Sequence, residues 1–336
     1  MLRSRRSEET LSTLVSERND AELENSHRPQ SRPDDSDIVS LFTTTSEETK
    51  INEPITIFGL PLSTYNVLRE MPIVSTFLHS GVCVFESIEA FQQYNNETQK
   101  ANTAGEKRPV NPLLQVSSSV LGMFKIKSPF ITIHRFTPQG EKVEYCKVYF
   151  KVKSSQVSYY LMRFIVDGHT HTLTLMNNNS HKPSVDLVHK QTKLRISGIS
   201  GTTSTFGGAG DFKMHVLRPE SKILEENPSR GALNFTERSS NPHEHEESLF
   251  SAIEHQNRAL IQKYLSVPPL INIPIAHYIE DGAVRQRNKF NRIGTVRVFD
   301  RGETGGDDTM MLVCIMLVMR EQESRKNKGS KLTGYG

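Results

Sequence analysis

The sequence of 336 residues contains no tryptophan, and aromatic residues make up only 7% of it. Its three cysteines, Cys83, Cys146 and Cys314, are far apart and form no CxxC pair. An odd number of widely spaced cysteines predicts reduced core thiols in an intracellular protein rather than a disulfide framework. The net charge is only +3, which is too small for a general nucleic-acid-binding protein. Any basic function must therefore come from a local patch.

Apolar residues are also scarce, at 35% of the sequence with a mean hydropathy of −0.48. We therefore expect part of the chain to be disordered. Residues 1–50 are rich in Ser, Thr, Glu, Asp and Arg and show no apolar periodicity, which predicts a disordered tail. This segment lacks the apolar core of a secretory signal, so we expect a cytoplasmic protein. We predict a small α/β extension and linker at residues 51–112, the main domain at 113–326 and a second disordered tail at 327–336.

The main domain is rich in short segments that are β-branched or aromatic. From Phe124 onward these segments are FKIKSPFITIHRF, VEYCKVYFKVK, SYYLMRFIV, THTLTLM, VDLVHK, TKLRIS, DFKMHVL and GTVRVF. Most are bounded by Gly, Asn or Pro, and many strands at short spacing predict a β-sandwich or a β-barrel. One amphipathic helix, ESLFSAIEHQNRALIQKYL, should interrupt them, since its apolar residues recur at helical spacing. These residues are Leu249, Ile253, Leu260 and Tyr264.

The longest apolar run lies near the end of the sequence and covers ten residues, Met310–Met319. It is about half the ~20 residues that a helix needs to cross a bilayer, so we predict no transmembrane span. Asp307 and Asp308 suit the start of a helix, and a helix that is apolar on every side must be surrounded by protein. The lumen of a β-barrel is the simplest such environment, and a position between two layers is the alternative. The predicted core residues are Met310, Met311, Leu312, Val313, Ile315, Met316, Leu317 and Met319.

Four segments, in this order, resemble the tubby C-terminal-like superfamily, which includes tubby proteins, LURP-one-related proteins and phospholipid scramblases. FITIHRFTPQGEKVEYCKV resembles the opening hairpin, and KVKSSQVSYYLM resembles the basic segment where tubby binds phosphoinositides. KLRISGIS with FGGAGDFKMHVL resembles the next strand pair, and GTVRVFDRGETGGDDTMMLVCIMLVM resembles the last strand and core helix. The resemblance implies a mainly β fold with some α, an antiparallel β-barrel closed around an apolar C-terminal helix. Two features depart from tubby, namely a less dense basic segment and a long helical loop from Pro219 to Pro274.

Side chains should alternate between two faces along VEYCKVYFKVK. The predicted core face contains Cys146, Val148, Phe150 and Val152, and the predicted surface face contains Tyr145, Lys147, Tyr149, Lys151 and Lys153. Lysines suit phosphate groups and tyrosines suit a membrane interface. The candidate headgroup-binding site is therefore Lys147, Lys151, Lys153 and Arg163. A second candidate basic patch is Arg285, Arg287, Lys289 and Arg292. Each set could equally be solvated charge, since exposed lysines discourage pairing between strand edges.

Other candidate motifs are less specific. GISGTTSTFGGAGDF lacks both the P-loop lysine and the GxGxxG pattern, so it predicts a mobile hairpin loop. His243, His245 and His255 fit no established zinc spacing. We find no nucleophile elbow, no paired acid and base and no Cys–His arrangement. We therefore expect no catalysis, no cofactor and no metal.

These observations favour a peripheral binding module that holds anionic phospholipid headgroups, phosphoinositides in particular, or an acidic protein partner. The alternative is a protein-interaction scaffold on the same barrel without lipid binding. Lipid scrambling is a third class, but Cys314 stands alone and no calcium-binding loop accompanies it. We expect a cytoplasmic protein that attaches peripherally to the plasma membrane in the lipid-binding case. We expect no specific nucleic-acid partner, and the oligomeric state stays open.

Overall fold

The computed structural model of the protein describes residues 55–76, 81–100, 110–118, 128–137, 139–166, 168–201, 208–225, 248–281, 290–302 and 306–333. The predicted tail at residues 1–50 lies outside this part of the chain. Twelve antiparallel strands form a closed barrel in which every strand pairs with its neighbours in sequence, and the last strand pairs with the first. The predicted mainly β fold with a closed antiparallel barrel is therefore confirmed.

The bounds of the elements follow the chain. Before the barrel, a ribbon contains β1 (Thr56–Ile57) and β2 (Leu60–Pro61), followed by a 3-10 turn at Leu62–Thr64. The barrel strands are β3 (Val67–Thr76), β4 (Gly81–Val84), β5 (Leu114–Ser118), β6 (Ile131–Phe136), β7 (Lys142–Val152), β8 (Val157–Val166), β9 (His169–Asn178), β10 (Ser184–His189), β11 (Thr192–Ser197), β12 (Asp211–Val216), β13 (Ala276–Glu280) and β14 (Phe290–Asp300). The helices are α1 (Ile88–Lys100), α2 (Leu249–Glu254), α3 (Arg258–Leu265) and α4 (Asp307–Thr333).

The barrel begins earlier than the sequence predicts. Residues 51–112 are not a separate extension, because β3 and β4 are barrel strands and β3 pairs with β14 from Val67 to Thr76. Pro72 argues against a central strand, since proline has no backbone N–H to donate to a ladder. The strand tolerates this proline because β4 ends beside Pro72. The carbonyl of Pro72 accepts a hydrogen bond from the N–H of Phe85 at 3.1 Å, and no donor is required from Pro72 at this position.

Helix α4 fills the lumen of the barrel. Every side chain from Met310 to Met319 is at most 5% exposed and belongs to one core cluster with side chains from the barrel strands. The prediction of an apolar helix enclosed by the barrel is therefore confirmed. The predicted tail at 327–336 is wrong in part, since α4 continues to Thr333. The remaining residues, 334–336, lie outside the described part of the chain.

A bulge in β7 changes the predicted alternation of its side chains. Ile133 pairs with Cys146 and His134 with Glu144, so Tyr145 is an extra residue between them. Tyr145 and Cys146 are consequently both buried, although Tyr145 was predicted on the surface. Val152 was predicted in the core but is 68% exposed at the last position of β7, although the strand still pairs with β8 there. Cys146, Val148 and Phe150 do face the core.

The predicted amphipathic helix is two short helices. Gln256 between α2 and α3 has φ +53°, which a continuous helix does not allow, and the side chain of Asn257 caps α3 by accepting from the N–H of Leu260. Leu249, Ile253 and Tyr264 are buried in a separate cluster on the outer wall of the barrel, against Val157 and Met176 of β8 and β9. The helical spacing therefore identified the buried face but not the break.

The three cysteines are buried and unpaired. Burial raises the pKa of the Cys83 thiol to about 11 and raises the pKa values of Cys146 and Cys314 as well. Thiols of this kind stay protonated and poorly nucleophilic at neutral pH. This agrees with the expectation of reduced core thiols.

Candidate functional site: the basic rim of the barrel

The position of α4 distinguishes the two mouths of the barrel. At the N-terminal mouth, where α4 begins, Asp308 accepts hydrogen bonds from His189 and is ion-paired with Lys190, both at 2.8 Å. At the C-terminal mouth, where α4 leaves the lumen, the hydroxyl of Tyr160 donates to Gln322 at 2.5 Å. Successive hairpins of a closed meander alternate between the mouths, so each mouth collects turns that are far apart in sequence.

The β7–β8 hairpin carries part of the predicted basic site at the C-terminal mouth. Lys151 and Lys153 are exposed on either side of Val152, which is the most exposed large apolar side chain in the described part of the chain. The hydroxyl of Ser154 accepts from the N–H groups of Gln156 and Val157 at 3.2 and 3.0 Å and donates to the carboxylate of Glu254 in α2. These bonds hold the turn against α2 and fix the direction of its tip.

The other two predicted site residues lie on the outer wall, midway along the strands. Lys147 and Arg163 are directly opposite each other in the β7–β8 ladder. Glu144 forms an ion pair with Lys147 at 2.7 Å, and this hydrogen-bonded pair raises the pKa of Lys147. Arg163 lies over the ring of Tyr149 at 5.0 Å. Lys147 is therefore already ion-paired, and both side chains lie on the wall rather than at a mouth, so the hairpin tip is the better candidate for a ligand.

Side-chain packing also positions Lys153. Its ammonium group lies 4.8 Å from the ring centroid of Phe250 in α2, a cation–π geometry. Lys151 extends from β7 beside it and is exposed. The two lysines thus flank an apolar side chain on a turn that is fixed from below by α2.

The sequence did not identify the neighbouring β9–β10 turn as part of the site. The backbone N–H of Asn179 in this turn donates to the carbonyl of Gln156 in the β7–β8 turn at 2.9 Å, so the two turns touch. Lys182 is exposed in the same turn, and its carbonyl accepts from the side chain of Asn178 at 3.0 Å. We call Lys151, Lys153 and Lys182 the basic rim. The NNNSHKPS segment predicts a turn, but only barrel closure places it beside the first one.

The second predicted patch is described only at Arg292. Its guanidinium group is ion-paired with Asp281 at 2.5 Å and donates to the hydroxyl of Thr295 at 2.7 Å. Arg292 therefore joins the ends of β13 and β14. The other three members, Arg285, Arg287 and Lys289, lie outside the described residues.

The glycine-rich segment holds α4 at the C-terminal mouth. The carboxylate of Glu323 accepts from the hydroxyl of Ser200 at 2.5 Å, from the N–H of Ala209 at 2.7 Å and from Lys326 at 2.9 Å. A Cβ atom at Gly208 would lie 2.1 Å from the carbonyl oxygen of Glu323, so only glycine permits this approach. The loop between β11 and β12 thus clamps the helix, and residues 202–207 lie outside the described part.

The described part of the chain also limits two other kinds of site. No helix in the described ranges is both long and apolar enough to cross a membrane. No group of three or more His, Cys, Asp or Glu side chains there could hold a metal ion. His255 contacts the hydroxyl of Ser251 at 3.3 Å, whereas His243 and His245 lie outside the described part of the chain.

A family model described as DIA1 matches residues 66–328. The chain belongs to the DIA1 family. The DIA1 match begins next to β3 and ends within α4, so it covers all twelve barrel strands and the part of α4 that lies in the lumen. It includes β3 and β4, which were predicted to belong to a separate extension. No curated protein and no solved structure matches the chain. The relationship of this DIA1 member to the tubby C-terminal-like superfamily stays a prediction.

Proposed function

We propose that the protein is a non-catalytic binding module whose basic rim holds anionic phospholipid headgroups, phosphoinositides in particular, at a membrane surface. The observation that supports this proposal best is the exposed Val152 between Lys151 and Lys153. An apolar side chain can enter the interfacial region of a membrane while the flanking ammonium groups contact phosphates.

The expected strength of this attachment is modest. Each basic residue near an anionic surface contributes about 1 kcal/mol, so the three lysines of the basic rim would contribute about 3 kcal/mol. Salt should weaken the binding, because the interacting charges are exposed and screened. The fixed β7–β8 turn reduces the ordering cost of binding, since Ser154 and Phe250 already position the tip.

The architecture supports a further part of the proposal, a relationship to the tubby C-terminal-like superfamily. A closed antiparallel barrel around an apolar C-terminal helix is what the resemblance implies for this chain. An experimental structure that superposes on a tubby barrel with the same strand order would support the relationship, and a different strand order would contradict it.

Liposome flotation tests the lipid proposal. Vesicles of phosphatidylcholine with a phosphoinositide should bind the protein, and vesicles of phosphatidylcholine alone should not. The double change Lys151→Ala with Lys153→Ala should weaken binding about tenfold or more, since two lysines contribute about 2 kcal/mol. The thermal midpoint should barely change, because both side chains are exposed.

A matched control removes the same charge elsewhere on the barrel. Lys142 and Lys213 are exposed on β7 and β12, away from the hairpin tip. Changing both to alanine should leave liposome binding within about twofold of the parent. If the two double variants weaken binding equally, the attraction is nonspecific. If neither variant changes binding, or the parent does not float, the scaffold alternative is favoured.

A further inference from the structure

The two neighbouring strands of β3 pair with it over different lengths. This strand pairs with β14 along its whole length but with β4 only at Ile73, Val74 and Ser75. The N–H of Phe85 bonds to the carbonyl of Pro72, and the chain then turns away into α1. Among the described residues, no strand covers the second edge of β3 between Val67 and Met71.

Backbone polar groups of this open edge have a defined direction. In an antiparallel ladder, alternate residues direct both their N–H and their C=O groups toward the same neighbour. Pro72 directs its carbonyl toward the β4 side. Glu70 and Leu68 therefore direct their backbone groups to that side as well, and the described ranges contain no backbone partner for them. An edge of this kind is a template for another strand.

A groove of about 450 Å³ runs along this edge, between residues 67–70 of β3 and residues 86–89 at the start of α1. Its apolar part is unusually open, since Val67 and Leu68 are 39% and 40% exposed. Within the described ranges, the groove thus combines backbone groups that have no backbone partner with exposed apolar side chains.

The groove carries excess negative charge. Arg69 is ion-paired with the buried Asp300 at 2.5 Å and with Glu86 at 3.4 Å. Arg297 is ion-paired with Glu70 at 2.8 Å. These two arginines face four carboxylates once the exposed Glu89 is included, which leaves a net charge of −2. A ligand with basic side chains would complement this charge.

We propose that the groove binds an extended segment of a partner protein as an added strand along residues 67–71. The segment would place a Lys or Arg side chain near Glu86 and Glu89 and an apolar side chain on Leu68. Strand addition draws affinity from main-chain hydrogen bonds and specificity from alternate side chains. This site lies at the N-terminal mouth and does not depend on the proposed lipid binding at the basic rim.

Fluorescence anisotropy with the full-length protein tests the charge requirement. The probe is a labelled peptide, Thr-Val-Lys-Val-Lys-Val-Thr, and its control carries Glu in place of both lysines. The lysine peptide should bind at least tenfold more tightly than the control. Glu86→Gln with Glu89→Gln should weaken its binding about tenfold, whereas Glu220→Gln, an exposed carboxylate elsewhere, should have no effect.

A second measurement tests the strand geometry. Leu68→Pro removes the N–H that is directed into the groove without breaking the ladder with β14, and Leu68→Ala retains it. The proline variant should lose binding, and the alanine variant should keep most of it. Should the proline variant fail to fold, amide hydrogen exchange of the parent decides, because the N–H groups of Leu68 and Glu70 should become protected when the lysine peptide is added. Equal affinity for both peptides, or unchanged exchange at these amides, would overturn the proposal.

Discussion

Both mouths of the barrel contain polar contacts of the central helix, and the N-terminal mouth adds a pair of buried aromatic rings. At the N-terminal mouth, Phe58 and Tyr65 pack against each other with ring centroids 5.8 Å apart, and both are buried. At the C-terminal mouth, the polar residue Glu323 of α4 is held by hydrogen bonds from Ser200 and Ala209. The stability that buried aromatic rings contribute depends on side-chain volume, whereas the stability that buried polar groups contribute depends on matched hydrogen-bond donors and acceptors. We therefore expect a larger loss of stability from removing an aromatic ring at the N-terminal mouth than from weakening the contacts of Glu323 at the C-terminal mouth.

The largest expected effect is a change in the lumen that both mouths enclose. Ile315→Asp should abolish folding, because Ile315 is fully buried among apolar side chains and a carboxylate there would have no partner. Circular dichroism should show loss of the cooperative thermal transition. The matched variant Ile315→Val should fold and lose only about 1 kcal/mol. A soluble Ile315→Asp protein with the parent spectrum would contradict the central position of the helix.

The next effect compares the mouths directly. Phe58→Ala should lower the free energy of unfolding by about 3–5 kcal/mol, since it removes a buried ring that also contacts His189. Glu323→Gln should lower it by only about 1–3 kcal/mol, because the amide still accepts a hydrogen bond but loses the charge that faces Lys326. Urea denaturation measures both values. If Glu323→Gln lowers the free energy of unfolding more than Phe58→Ala does, the expected order of the two mouths is wrong.

The smallest effect is a pH dependence at the N-terminal mouth. Burial by itself raises the pKa of the Asp308 carboxyl, but hydrogen bonds from His189 and Lys190 outweigh it and lower the pKa below the ordinary value of 3.8. The unfolded state therefore binds the proton more readily, and the stability that Asp308 contributes is present above pH ~4 and is lost as the pH falls through the lowered pKa.

The variant Asp308→Asn isolates this contribution. The difference in unfolding free energy between the parent and the variant should be constant from about pH 5 to 7 and should shrink below pH ~4. Urea denaturation at several pH values measures it. If the difference instead grows on acidification, burial and not the pairing with His189 and Lys190 determines the direction in which the pKa of the Asp308 carboxyl is shifted.

The alternation of residues along β7 predicted the direction of some of its side chains but not of others. Alternation correctly placed Val148 and Phe150 inside and Lys151 outside, because side-chain direction in a regular strand follows from consecutive residues. It failed at Tyr145, where a bulge adds one residue, and at Val152, which is exposed at the end of β7. Both failures depend on neighbouring strands, which a single strand's pattern does not contain.

Contacts between residues distant in sequence could not be predicted either, because they also depend on which strands and turns are neighbours. Lys182 joins Lys151 and Lys153 only because the β7–β8 and β9–β10 turns meet at one mouth. The pairing of β3 with β14 brings together Arg69 and Asp300, which are 231 positions apart. Pro72 also makes β3 hard to recognise as a strand, since proline has no backbone N–H. The missing N–H costs no hydrogen bond here because β4 ends beside Pro72 and uses only its carbonyl.

The sequence by itself determined that α4 is enclosed and that the chain around it is built from short strands. Ten consecutive apolar residues have no stable place in water, and β-branched segments between turns favour strands wherever they pack. Only the tertiary structure decided which strand closes the barrel, which turns share a mouth and which strand edge has no partner strand within the described part of the chain. These outcomes depend on ladder register between segments distant in sequence, and register is set when all twelve strands pack around one helix.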